Sequence, residues 1–188
     1  MNFESYCLKS AELLTEAARH LSEERLALAT DCIVAAIRSG QPLLVCGNGG
    51  SASHAMHITA ELVGRFLRER RALKAICLSS NAAVLTAWSN DHNYETVFAR
   101  QVEAYGAQGG VLLGISTSGS STNVILAFDK AHELGMTTIA LIGQGGGELA
   151  QKADILIDVP SRSTPLIQQA HICIYHYLCE NIEAQCGS

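Results

Sequence analysis

His57 and Glu61 stand four residues apart, just beyond the glycine-rich run GNGGS at Gly47–Ser51. On a helix that spacing puts an imidazole and a carboxylate on one face, where they can share a metal ion or act as ligand and base. The apolar run Leu43–Cys46 precedes the glycines, so the pattern reads as a buried strand, a tight turn and a helix start. Backbone N–H groups and the helix dipole point out of such a turn and can hold an anion. A second loop, STSGSS at Ser116–Ser121, follows another apolar run and offers hydroxyls, one glycine and no lysine. That chemistry suits a phosphate monoester held by neutral donors. One serine-rich loop alone would be a helix cap. Two such loops beyond the strand ends of one sheet point to ligand binding. Neither loop ends in GK[ST] and neither reads GxGxxG, which argues against a P-loop nucleotide site and a dinucleotide. An anion cradle beside an acid/base or metal pair predicts an enzyme acting on a phosphorylated small molecule.

Three more polar residues, Gln168, His171 and His176, lie in the apolar stretch LIQQAHICIYHYLCENIE. Histidines in such a helix need hydrogen-bond partners or an interface; His171 also reads as a core residue. Gln168 and His176 are eight residues apart, about 12 Å along a straight helix. If both serve one small ion, they come from different subunits. Asp91, in SNDHNY, and Arg65, in VGRF, are able to bind sugar hydroxyls or phosphate, or to form ordinary ion pairs; spacing alone does not choose.

These groups need a scaffold. Apolar runs at Leu43–Cys46, Lys74–Leu78, Gly110–Ile115, Thr137–Ile142 and Ile155–Val159 read as strands, continuous as in a parallel sheet covered on both faces. Helical patterns at Ser51–Arg68, Ala82–Trp88, Tyr94–Tyr105, Thr122–Leu134, near Gly147–Lys152 and at Pro165–Glu183 alternate with them. Two amphipathic helices, Phe3–Leu21 and Glu23–Arg38, come first, with Gly40 and Pro42 marking the change. The pattern predicts an α/β, doubly wound parallel sheet flanked by helices, with an N-terminal helical arm at 1–39 and the core at 40–188 of a single domain.

The 188 residues are 48% hydrophobic and only 16% charged. That excludes disorder and leaves few charges to cover a monomer, so apolar surface is expected between subunits. The net charge of -5 argues against a nucleic-acid partner. Most of Arg65, Arg68, Arg70, Arg71 and Lys74 are expected as a solvated helix end. Seven cysteines without a CxxC pair, and an N-terminus without an apolar signal core, fit free, mostly buried thiols in a reducing cytoplasm. No run is long enough for a membrane helix.

Taken together, CGNGGSASHAMHITAELVGRF, SNDHNYETVF, VLLGISTSGSSTNVI and TPLIQQAHICIYH resemble the sugar isomerase (SIS) fold family, and within it the phosphoheptose isomerases. The likeness runs from about residue 40 to near the end, with the helical arm similar in kind. It implies an SIS-type, flavodoxin-like sheet and conversion of sedoheptulose 7-phosphate to D-glycero-D-manno-heptose 7-phosphate, the first step toward ADP-heptose. Carried over by position, the resemblance implies Glu61 and His176 as the acid/base pair and His57, Glu61, Gln168 and His176 as ligands of one Zn2+ per subunit. It implies Asn48, Gly49, Gly50, Ser51, Glu61, Arg65, Asn90, Asp91, Ser116, Thr117, Ser118, Ser121 and Gln168 as the substrate contacts. It also implies a homotetramer, with the arm used in assembly and sites between subunits. Some family members carry an acidic residue where this chain has Pro165, with Thr164 able to supply a polar contact instead. The alternative is a non-catalytic branch of the family that binds the replication initiator DnaA. That branch keeps the loops and lacks the His/Glu/His pattern, which this chain has.

Overall fold

The computed structural model describes residues 2–187. Five parallel strands form one sheet in the order β2-β1-β3-β4-β5: β1 Leu43–Gly47, β2 Ala75–Cys77, β3 Val111–Ser116, β4 Thr137–Gly143 and β5 Ile155–Val159. This is the doubly wound, flavodoxin-like order expected of an SIS sheet. Side chains alternate across it and feed two cores. Leu43, Val45, Leu113 and Ile115 pack toward α1 (Phe3–His20), α2 (Glu23–Arg38), α3 (Gly50–Val63) and α8 (Thr164–Cys186). Leu44, Cys46, Leu112 and Ile142 face α5 (Val97–Tyr105), α6 (Thr122–Glu133) and α7 (Leu149–Lys152), with α4 (Ala82–Asp91) against the same side.

Local chemistry explains the boundaries. Asn2 caps α1 by accepting from the Ser5 amide at 2.8 Å, and Ser22 caps α2 through the Arg25 amide; a cap of this kind contributes about 1 kcal/mol. Pro165 sits in the first turn of α8, where its missing N–H costs nothing. Helix α5 starts at Val97 and not Tyr94, because the Asn93 side chain accepts from the Thr96 amide and hydroxyl and holds a turn there.

Three expectations are corrected. The helix predicted over Ser51–Arg68 ends at Val63. The amides of Phe66, Leu67 and Arg68 do not continue the helical ladder; all three donate to the Glu183 carboxylate, at 2.9, 2.7 and 2.9 Å. Arg65 is therefore off the helix, paired with Glu69 at the surface. Nor is Arg70 part of a solvated helix end. Its side chain is 1% exposed and meets Glu183, also 1% exposed, with Nε 3.3 Å from Oε1. Strand β5 also departs from a run covered on both faces: Ile155, Ile157 and Val159 are buried while Leu156 and Asp158 are not. It is an edge strand, and the arm reaches its open side, with His20 and Arg25 on Asp158. The cysteines are free; Cys46, Cys179 and Cys186 are buried, Cys32 and Cys77 half-buried, and Cys7 and Cys173 exposed. No described helix is long and apolar enough to cross a membrane.

Candidate active site

Strands β1 and β3 are neighbours, with Gly47 in register with Ile115. Both candidate loops therefore leave adjacent strands at the point where the strand order reverses, the usual ligand crevice of an open α/β sheet. Gly49 precedes α3 without a side-chain cap. The Ser51 and Ala52 amides donate to Asn48 O and Gly49 O at 2.9 and 3.0 Å, and among the described residues the Gly50 amide makes no such bond, which leaves it open to a ligand. Ser121 occupies the N-cap position of α6, yet its hydroxyl makes no capping bond. It pairs instead with Ser116 Oγ at 3.0 Å, and Ser116 Oγ also accepts from the Gly119 amide at 3.1 Å. The serines are thus not occupied in capping the helix. Gly119 adopts φ +67°, and the backbone of Gly146 stands where its Cβ would be, so only glycine permits this loop.

Asn48 is held between the loops. Its Nδ2 donates to Asn123 Oδ1 at 2.8 Å, while its Oδ1 accepts from Asn123 Nδ2 at 2.9 Å and from the Tyr94 hydroxyl at 2.7 Å. Both acceptor directions of Oδ1 are used and one N–H of Nδ2 is left, so Asn48 meets a ligand as a donor. A cavity of about 240 Å³, lined by Asn48, Tyr94, Glu95, Ser121, Thr122 and Asn123, opens beside it. A more enclosed groove between α1, α2 and α8 is lined mainly by Leu14, Leu26 and Ile174 and lacks convergent polar groups, so the chemistry is not there.

His57, Glu61 and His176 come together on α3 and α8, each offering a ligand atom within 4.8 Å of the others. His57 Nε2 lies 2.9 Å from Glu61 Oε1, and His57 Nδ1 lies 2.7 Å from the Tyr175 hydroxyl. Tyr175 is buried, and its ring stands edge-on to both His57 and His176. Burial pushes its hydroxyl up to about 12, so it stays a neutral phenol and fixes the His57 ring by hydrogen bonding. Burial, together with nearby His57, lowers the His176 pKa against the opposing pull of Glu61. His176 is therefore neutral at pH 7, and its Nε2 is buried without a hydrogen-bond partner among the described residues. A neutral imidazole with a free ring nitrogen beside a carboxylate suits proton transfer or metal ligation.

The remaining expected site residues divide. Gln168 lies against Gly50, where its carboxamide fills the space a Cβ would take. The first turns and the middle of α8, at Gln168 and His176, thus address two places on α3: the anion turn and, two turns further, the His/Glu cluster. Thr164 Oγ1 lies 3.4 Å from Thr117 Oγ1, so the residue beside Pro165 does reach the serine-rich loop. Arg65, Asn90 and Asp91 are exposed, and Asn90 donates to Asp91 at 2.9 Å. Among the described residues none of the three makes a polar contact with either loop. Asn123, Tyr94 and Tyr175 escape a reading of the sequence. Asn123 partners Asn48 from 75 positions away, and Tyr175 looks like an ordinary core aromatic. His171 is a core residue, fully buried with Nε2 3.2 Å from Ile142 O.

The SIS domain family profile matches residues 5–143 of this chain. A phosphoheptose isomerase from Crocosphaera subtropica is 53% identical over 148 residues, 79% of this chain and 76% of that protein. The solved phosphoheptose isomerases of Neisseria gonorrhoeae and Francisella tularensis superpose with TM-scores of 0.91 and 0.92. Each is 38% identical, with 96% of both chains covered. This chain belongs to the phosphoheptose isomerase family of SIS domain proteins. The profile match ends with β4, so in this SIS domain the likeness across α8, the helix of Gln168 and His176, rests on the solved relatives. At that level of superposition those relatives share the fold along nearly the whole length of this chain.

Proposed function

We propose that this chain interconverts sedoheptulose 7-phosphate and D-glycero-D-manno-heptose 7-phosphate. The observation that carries the reading is the His57–Glu61–His176 cluster, set two turns along the helix that begins at the anion turn. The phosphate end of the sugar sits on the neutral donors of Gly49–Ser51 and Ser116–Ser121, and Asn48 donates to an oxygen near it. In the isomerisation a proton leaves C1 of the ketose and returns to C2, while a hydroxyl proton moves from O1 to O2 through an enediol. Glu61 takes the proton from one carbon, and neutral His176 serves from the other side.

The donor set also fits a zinc ion. Two imidazoles and a carboxylate are a common catalytic zinc set, and the buried, unpartnered Nε2 of His176 is a nitrogen in want of a partner. Bound there, the ion supplies positive charge to a developing oxyanion. His57 is oriented for this by Tyr175, and Gln168 reaches the same ion only from a second copy of the chain. The same reading takes the chain as a homotetramer with sites between subunits, assembled through the arm at 1–39; that separation and the exposed apolar residues Phe3, Leu8 and Leu28 support it. The product feeds ADP-heptose synthesis in the cytoplasm. The DnaA-binding alternative finds no support in the relatives, and the His/Glu/His pattern that branch lacks is assembled here. Turnover of sedoheptulose 7-phosphate by the purified protein, with and without zinc, tests the reading.

A further inference from the structure

Glu183 and Arg70 are the most deeply buried ion pair among the described residues, and neither belongs to the cluster just described. Glu183 accepts three consecutive amides, those of Phe66, Leu67 and Arg68. Arg70 Nη2 donates to the carbonyl of Glu61 itself at 2.7 Å, and Nη1 donates to Gly64 O at 2.8 Å and to Arg71 O at 3.1 Å. Arg70 thereby caps the last carbonyls of α3, which a helix end otherwise leaves unpaired. Glu183 follows His176 by seven residues, two turns of α8, so the two side chains share a helix face. The loop that Glu183 holds carries Phe66, whose ring lies 5.4 Å from that of His176 at a 38° tilt.

We infer that the Glu183–Arg70 pair is a positioning device for the isomerase site: it locks the end of α3 to α8 and so sets Glu61 and Phe66 against His176. The inference rests on the isomerase reading for its kinetic consequence only. Burial alone would raise the Glu183 pKa; the three amides and Arg70 outweigh it and hold the group ionised. Glu183→Gln removes the charge and turns one amide-facing oxygen into an N–H donor, so donor meets donor and the loop must move.

The test compares wild type, Glu183→Gln and Arg70→Lys in four measurements: circular dichroism, amide exchange at 66–68, the imidazole carbon resonances of His57 and His176, and turnover. For a folded Glu183→Gln protein, exchange at 66–68 rises and both imidazole signals shift. Its kcat falls roughly 10- to 100-fold with KM within about threefold, the size of effect a misplacement near 1 Å produces. A lower melting temperature with unshifted imidazoles and wild-type kcat would overturn the inference and leave a purely structural pair. If Glu183→Gln does not fold, Arg70→Lys in the same four measurements decides: shifted imidazole signals with a reduced kcat support the inference, and unshifted signals with wild-type kcat overturn it. An inert wild type would refute the isomerase reading, and the imidazole signals would still decide whether the pair positions His176.

Discussion

Replacing Gly50 with alanine separates stability from function at the anion turn. Gly50 is the first residue of α3 and its φ is not positive, so the backbone accepts a side chain. A Cβ there would lie 2.9 Å from Gln168 Cδ and 3.0 Å from Oε1, and nearer still to Nε2. The Gln168 carboxamide must retreat by about 1 Å to restore ordinary contact. It is the far end of a flexible side chain, so the retreat is cheap. Alanine is also the better helix former, by about 1 kcal/mol in a helix interior and less at this first position. The two effects nearly cancel, and the melting temperature is expected to stay within a few degrees of wild type. Activity responds differently, because Gln168 is one of the groups assigned to substrate. A 1 Å misplacement costs roughly 100-fold in rate. Steady-state kinetics on sedoheptulose 7-phosphate beside a thermal melt provide the assay. Adding Gln168→Ala to Gly50→Ala should relieve the crowding without restoring turnover. A Gly50→Ala enzyme with wild-type kcat and KM would refute the assignment of Gln168 and of the close approach to it.

Other expectations follow from the same geometry. Zinc titration by calorimetry should show a tight site that His57→Ala weakens, and Tyr175→Phe should cost about 10- to 100-fold in affinity, as loss of an orienting partner does. Asn123→Ala frees the Asn48 carboxamide; KM for the sugar phosphate should rise several-fold with little change in melting temperature. Acidification should destabilise the fold through His171, whose pKa burial lowers to about 4 from its ordinary value of 6.5. The unfolded chain binds the proton first, so stability falls as pH drops below 6.5, by about 2 kcal/mol between pH 7.5 and pH 5. Chemical denaturation across that range checks it, and the His171→Asn protein should show a shallower pH dependence.

Much of this architecture is legible in the sequence because its signals are local. The apolar runs that become β1, β3, β4 and β5 are continuous and short, and their predicted limits lie within a residue of the structure. Each of the two loops, and the His57–Glu61 spacing, is likewise written in a few consecutive residues. What escapes is set by partners far along the chain. Gly64, the C-cap of α3, is the one local hint that the helix stops at Val63; the carboxylate that captures the amides beyond it sits about 117 positions away. Arg70 looks like one more surface charge until Glu183 is placed beside it, and Asn123 looks like a helix-start residue until it meets Asn48. The separation of Gln168 from His176 is an exception: helix rise alone is enough to infer it.

The most direct test of the central claim is turnover of sedoheptulose 7-phosphate by wild type, Glu61→Gln and His176→Gln, each confirmed folded by circular dichroism. Acid/base groups of this kind contribute roughly 100- to 10,000-fold. The account predicts formation of the aldose phosphate by wild type and a loss of that order in each variant. A folded, zinc-loaded wild type without activity, or variants that match it, would contradict the assignment of Glu61 and His176 as the groups that move the proton.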